Sequence, residues 1–111
     1  NALAHHMAQF HARFDLLLTP TLPLPAFAVG VNTPAHGAYG DDWTRWTPFT
    51  YPFNITQAPA ISLPCGLTKA GLPAGLQLVG PFGRDALVLR VAAAFEAARP
   101  FARVDAPIAS V

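Results

Sequence analysis

His5, His6 and His11 stand close to Asp15 in the sequence, and His11 and Asp15 are spaced so that one helix face would turn both toward a single metal ion. A zinc site needs three or four ligands, together with partners that orient them. No third ligand follows at a useful spacing, and Asp15 falls where the helix should end, so both residues are read as solvated or capping. A hydrolytic nucleophile needs a base beside it and donors for the oxyanion. Ser62 and Ser110 are the serines of the chain. Ser62 sits in Ile61-Ser62-Leu63, without the flanking glycines of a nucleophile elbow, and strand alternation explains it as a small polar residue at a half-buried position. Cys65 has no cationic neighbour in sequence to hold a thiolate, so a small buried thiol is expected. Lys69, the single lysine, lies beside Ala70-Gly71 at a hairpin tip, where it stays solvated and does not become a desolvated base.

Asn54-Ile55-Thr56 matches a glycosylation acceptor, which means little without a secretion signal. Asn54 follows Pro52-Phe53 and precedes a strand. Its amide is expected to tie that turn to neighbouring backbone, and it is the polar residue best placed to face a pocket lined by the surrounding aromatics.

The elements that would position these groups alternate between helix and strand. Leu3, Met7, Phe10 and Phe14 mark the inward stripe of a helix over residues 2–14. Residues 15–19 read as a short strand buried on both faces, stopped by Pro20. Pro20, Pro23 and Pro25 leave residues 20–25 too poor in amide donors for a sheet, so they read as extended polyproline-like chain. Residues 26–51 show no convincing period and are punctuated by Gly30, Asn32, Pro34, Gly37, Gly40 and the Asp41-Asp42 pair. Tyr39, Trp43, Trp46, Phe49, Tyr51 and Phe53 argue for order there, as a connection that covers a pocket. Residues 60–64 and 74–79 read as strands joined in a hairpin through Lys69-Ala70-Gly71. Val88, Val91, Ala92 and Phe95 give the stripe of a final helix over Asp85–Ala98, with Asp85 placed to cap or charge its start and Pro100 to end it. No internal repeat or low-complexity tract interrupts this order.

Composition narrows the function classes. Hydrophobic residues make up 52% of the chain and charged residues 12%, where soluble domains carry about 25% charged residues. A small domain has much surface for its volume, so this shortage of polar cover implies that part of the surface is buried against other polypeptide. A membrane span does not explain it, because prolines repeatedly break the first two-thirds of the chain and the longest helix-compatible stretch, Asp85 to Ala98, carries Arg90 and Glu96, where a span needs roughly 20 apolar residues. No basic stretch followed by an apolar run opens the chain, so no signal peptide is expected. A chain that opens on Asn1, in helical composition, is expected to be a piece of a longer polypeptide. The net charge is +1, and Arg13, Arg45, Lys69, Arg84, Arg90, Arg99 and Arg103 are too dispersed to track phosphates, which argues against nucleic acid. One cysteine excludes an internal disulfide and suits a reducing cytosol.

Three segments in order resemble the C-terminal part of the amidase signature family. They are Asp15-Leu16-Leu17-Leu18-Thr19-Pro20-Thr21, the run from Thr47-Pro48-Phe49-Thr50 through Asn54 to Leu63-Pro64-Cys65-Gly66, and Gly71-Leu72-Pro73-Ala74-Gly75-Leu76-Gln77-Leu78-Val79-Gly80. The resemblance implies an α/β fold in which these strands and helices form the C-terminal part of a large mixed sheet. Residues 1–111 would then be the C-terminal segment of a single amidase domain. It also implies amide hydrolysis by a Ser–cis-Ser–Lys triad lying upstream, so no catalytic residue is assigned within this chain. No cofactor or metal is implied. The partners would be a small-molecule amide and the remainder of the amidase domain, with a homodimer as a further option and neither nucleic acid nor membrane. The alternative is an amidase-like subunit, non-catalytic or of amidotransferase type, that works within an assembly. Relatives that supply ammonia for transfer RNA charging carry an acidic residue where Thr47 stands, which argues against free glutamine as substrate. Many relatives carry glycine where Gln57 stands, so a local difference is expected after Asn54. Trp46, Thr47, Phe49, Phe53 and Asn54 are the expected substrate-binding residues. The aromatics Trp43, Trp46, Phe49 and Phe53 point to an apolar or aryl amide.

Overall fold

Strand alternation along residues 60–67 and 73–79 turns Leu63 and Leu78 to one face and Ser62 and Gln77 to the other, and the tertiary structure is organised by that division. A computed structural model describes residues 1–34, 39–40 and 42–101, without the side chain of Trp43. Gly37, Asp41, Arg103, Ser110 and the Trp43 side chain, all singled out above, lie outside the described residues.

In chain order the elements are α1 (Ala2–His11), β1 (Leu17–Pro20), a 3-10 turn (Trp43–Arg45), α2 (Tyr51–Thr56), β2 (Ala60–Leu67), β3 (Pro73–Val79) and α3 (Asp85–Ala98). This is the α/β class expected. The three strands form one sheet in the order β1-β3-β2. Both pairings are antiparallel, with Leu18 and Ile61 opposite Leu78 and with Thr19 and Ser62 opposite Gln77. The hairpin turns at Thr68-Lys69-Ala70-Gly71, where the Gly71 amide donates to the Thr68 carbonyl and Gly71 takes a φ of 82°, open to glycine without strain. Lys69 is exposed at that tip, as the sequence indicated.

Helix α3 is rich in alanine and leucine, both strong helix formers. It packs on β2 and β3, where Leu63, Leu78 and Ala92 make the core and Ile61, Leu76, Val91 and Phe95 pack around them. Each buried leucine in such a cluster contributes about 1.5–3 kcal/mol. The N-cap is Arg84 and makes no side-chain cap, so Asp85 acts through its charge in the first turn and not as the capping residue. Gly80 lets α3 approach, because a Cβ there would stand 2.5 Å from Val88 Cγ2.

Several expectations change. Helix α1 stops at His11, three residues before Phe14, and holds no buried residue; Leu3 is 38% and Phe14 51% exposed. Strand β1 is covered on one face only, since α3 spans β2 and β3 and leaves Leu18 57% exposed. Pro20 is tolerated because β1 is an edge strand, and the next amide, that of Thr21, still donates to the Gly75 carbonyl at 3.0 Å. Residues 51–56, read as part of a connection and turn, form α2, with Pro52 in its first turn. Cys65 is exposed, not buried: β2 slips by one residue between Pro64 and Gly66, and Cys65 is the extra residue of that bulge. Ser62 is likewise exposed.

Apolar surface stays uncovered. Val29, Phe82, Leu67, Leu89, Leu18 and Ile55 are all more than half exposed, and Val79 alone among the described large side chains is fully buried. The Cα radius of gyration is 16.3 Å, against about 13 Å for a compact domain of 100 residues. No helix among the described residues is long and apolar enough to cross a membrane.

Candidate functional site

The sheet face away from α3 carries a polar row, next to the buried Val79. Thr19, Gln77 and Ser62 occupy one row across β1, β3 and β2. Gln77 is 5% exposed and is the one buried polar residue of the described core. Its Nε2 donates to Thr19 Oγ1 at 2.9 Å and to the Phe49 carbonyl at 2.6 Å. The Thr19 hydroxyl donates in turn to the Pro20 carbonyl at 2.9 Å. Diagonally across to the neighbouring row, the Thr21 and Ser62 hydroxyls lie 2.6 Å apart over Gly75. Thr19, Thr21 and Ser62 line an open cleft of about 760 Å³ beneath the extended segment of Pro20, Pro23 and Pro25.

Among the described residues no base stands beside these hydroxyls to activate them. Ser62 is partnered by Thr21, and the Cys65 thiol lies 3.5 Å from the Ala74 carbonyl. Neither geometry makes a nucleophile. His11 and Asp15 do not converge, because the helix has ended: His11 Nδ1 lies 3.2 Å from the Phe14 carbonyl, and Asp15 is exposed beyond it. No group of three or more His, Cys, Asp or Glu among the described residues is placed to hold a metal ion.

The aromatic segment is built from local turns. Asp42 Oδ1 accepts from the Thr44 hydroxyl at 2.7 Å and from the Thr44 amide at 3.0 Å, which starts the 3-10 turn. Those two bonds, the hydroxyl first, hold the Asp42 carboxyl below its usual 3.8, with a smaller contribution from the Arg45 charge. Trp46 packs edge-on against Phe27 at 5.1 Å between ring centroids, and its indole N–H is buried with no acceptor among the described residues. The Thr50 amide and hydroxyl both donate to the Thr47 carbonyl, and Phe49 is the residue tied to Gln77. Phe53 is 9% exposed on α2, whereas Asn54 is exposed on the same helix, and its amide has no described hydrogen bond to backbone. Helix α2 closes on Gln57 at φ 55°, the one non-glycine residue with positive φ among those described. The structure therefore brings Trp46, Thr47, Phe49 and Phe53 into one continuous segment, half-buried or buried, with Asn54 facing outward. None of the five lines the 760 Å³ cleft or a second cleft of about 710 Å³ between α1, α2 and residues 80–82.

The sequence profile of the Amidase family matches residues 1–89. The chain belongs to the amidase family. It is 45% identical over 92 residues to an acylamidase of Rhodococcus erythropolis, covering 80% of this chain and 19% of that protein. It is 43% identical over 96 residues to a glutamyl-tRNA(Gln) amidotransferase subunit of Myxococcus xanthus, covering 85% of this chain and 18% of that protein. Among solved structures, a bacterial aryl acylamidase of the amidase signature enzymes superposes with a TM-score of 0.74 at 36% identity, over 89% of this chain and 21% of that one. The chain spans about a fifth of the length of the curated relatives it matches.

Within this amidase-family segment, sequence reasoning passed over Thr19, Thr21 and Gln77. The signal for Gln77 was present: a glutamine inside Leu76-Gln77-Leu78-Val79 is a polar residue in a buried strand, which needs partners. Nothing local names Phe49 as the partner.

Proposed function

We propose that residues 1–111 are the C-terminal part of an amidohydrolase domain that cleaves a carboxylic amide in the cytoplasm, through a Ser–cis-Ser–Lys triad on upstream polypeptide. The observation that carries this reading is the 36% identity at a TM-score of 0.74 to an aryl acylamidase, over a fifth of that enzyme. The uncovered apolar surface and the lack of a nucleophile–base pair among the described residues agree with it. The remainder of the domain is the partner that covers Leu18, Ile55 and Phe82. The single exposed Cys65 suits a reducing compartment.

In this reading the segment holding Trp46, Thr47, Phe49, Phe53 and Asn54 is one wall of the acyl-side pocket, and the facing wall comes from the rest of the domain. Trp46 and Phe53 flank the substrate. An aryl or apolar amide suits the aromatic wall, and Thr47 offers no carboxylate to grip a free amino group. A role as the amidotransferase component of an assembly is the second reading, favoured by the 43% identity to the Myxococcus protein.

The test joins this chain to its upstream polypeptide, in one chain or as two mixed parts, and follows hydrolysis of an acetanilide and of glutamine. The joined protein is expected to turn over the anilide, and the 111 residues alone neither substrate. An inactive joined protein that folds would refute the hydrolase. Faster turnover of glutamine than of the anilide would favour the amidotransferase.

A further inference from the structure

We propose that Gln77 is a positioning residue: its amide holds the Phe49 carbonyl to the centre of the sheet and so sets where the wall of residues 46–54 stands. The role of that wall in substrate binding rests on the amidase reading above. The tether itself does not.

The hydrogen-bond directions make the case. Phe49 offers a carbonyl, which only accepts, so the Gln77 atom facing it at 2.6 Å must be the amide nitrogen. The second hydrogen on that nitrogen goes to Thr19 Oγ1, and the Thr19 proton is already directed to the Pro20 carbonyl. Each donor in the chain from Pro20 through Thr19 and Gln77 to Phe49 is thus committed, and a flipped amide would set oxygen against oxygen at Phe49 and draw the Thr19 proton away from Pro20. Thr19 fixes the amide plane from β1, β3 fixes the side chain from below, and the free end points at a loop carbonyl 28 residues earlier in the chain. A buried amide costs free energy for each donor left without an acceptor. Here both of its donors are aligned to span three segments of chain, on the sheet face opposite the α3 core. Turns 42–45 and 47–50 carry short-range bonds of their own, and the Gln77 amide adds a bond from the central strand to that folded unit.

The decisive substitution is Gln77→Glu, which keeps shape and volume. Ionised, it presents two acceptors to the Phe49 carbonyl; protonated, it recovers one donor. Titratable and charged groups on the surrounding elements are Asp15 before β1, Asp42 and Arg45 before Phe49, Tyr51 on α2, Cys65 on β2, and Asp85, Arg90 and Glu96 on α3. Reading variant minus wild type at each pH removes their contributions. Acrylamide quenching of tryptophan fluorescence reports the segment, because Trp46 lies on it, and far-ultraviolet circular dichroism reports the helices.

At pH 8 the variant should show stronger quenching and loss of the near-ultraviolet tryptophan signal, with helix signal retained. Both should return toward wild type as the pH falls to 5. A merely structural role for residue 77 would give a difference that does not depend on pH. Quenching equal to wild type at every pH overturns the tether, as does a pH-independent difference. If Gln77→Glu does not fold, Thr19→Val serves, since it removes the partner that orients the amide; unchanged quenching in that variant also overturns the proposal. In the joined enzyme, Gln77→Glu at pH 8 should raise KM for the anilide about fivefold with kcat nearly unchanged. A fall in kcat with KM fixed would overturn the placement of the wall. If wild-type joined protein shows no hydrolysis, the amidase reading fails while the quenching result still decides the tether.

Discussion

The hydroxyl oxygens of Thr21 and Ser62 lie 2.6 Å apart across the central strand, directly over Gly75. The pair closes the polar face of the sheet and occupies the serine that sequence alone offers as a nucleophile. A Cβ at Gly75 would stand 2.7 Å from Thr21 Oγ1 and 2.9 Å from Ser62 Oγ, so only glycine lets the two meet.

Gly75→Ala should therefore separate the hydroxyls, and it should lower stability by about 1 kcal/mol, the worth of one neutral hydrogen bond. Ser62→Ala should lower it by no more, because both groups reach solvent. In the joined enzyme, Ser62→Ala should leave anilide turnover within about twofold, as expected for a residue without a base beside it. Urea unfolding followed by circular dichroism, with a parallel activity assay, checks both. Abolished turnover in Ser62→Ala would mean that the serine does chemistry.

Gly80→Ala should be more damaging. Val88 is buried and β-branched on α3, so its Cγ2 cannot swing away from a new Cβ at 2.5 Å without leaving its preferred rotamer. The helix must lift from β3, at a cost of about 1–3 kcal/mol typical of overpacking. A fall in the urea midpoint larger than that of Gly75→Ala is the expected result.

Gln57→Gly should stabilise the chain. Gln57 holds φ 55° to close α2, with the Ala58 amide returning to the Phe53 carbonyl at 3.1 Å. A left-handed side-chain residue costs about 1–2 kcal/mol, and glycine returns part of that gain through its greater freedom when unfolded. A net increase of about 0.5–1 kcal/mol in unfolding free energy is expected. No change would mean that the Gln57 backbone is not strained.

Asp42 predicts a pH response at the aromatic segment. Its pKa is lowered in the folded chain, so its contribution is complete above the usual 3.8 and is lost as pH falls below it toward the depressed value. Tryptophan fluorescence should shift on acidification through that window, while Asp42→Asn, which keeps an acceptor but cannot titrate, should show a smaller shift. Identical acid profiles for the two proteins would remove Asp42 from the turn's support.

Much of the fold was legible in the sequence because it rests on local periods. The stripe of Val88, Val91, Ala92 and Phe95 places α3, and alternation with the Lys69-Ala70-Gly71 turn places the β2–β3 hairpin. Helix α2 was not legible: six residues containing a proline are too few to make a helix by propensity, and tertiary packing of Phe53 holds them. Cys65 was misread because a one-residue slip in the ladder inverts facing, and a slip depends on the partner strand.

By itself the sequence determined the order of the strands and of helices α1 and α3, the motifs of the amidase family and the shortage of polar cover. All three are written in residue type and short spacing. Only the tertiary structure decided which polar atoms meet, as with Gln77 and the Phe49 carbonyl, and which apolar side chains stay open, as with Leu18 beside an α3 that reaches only β2 and β3. Hydrogen bonds between distant segments and the reach of a packed helix depend on how elements dock, and no local pattern encodes that.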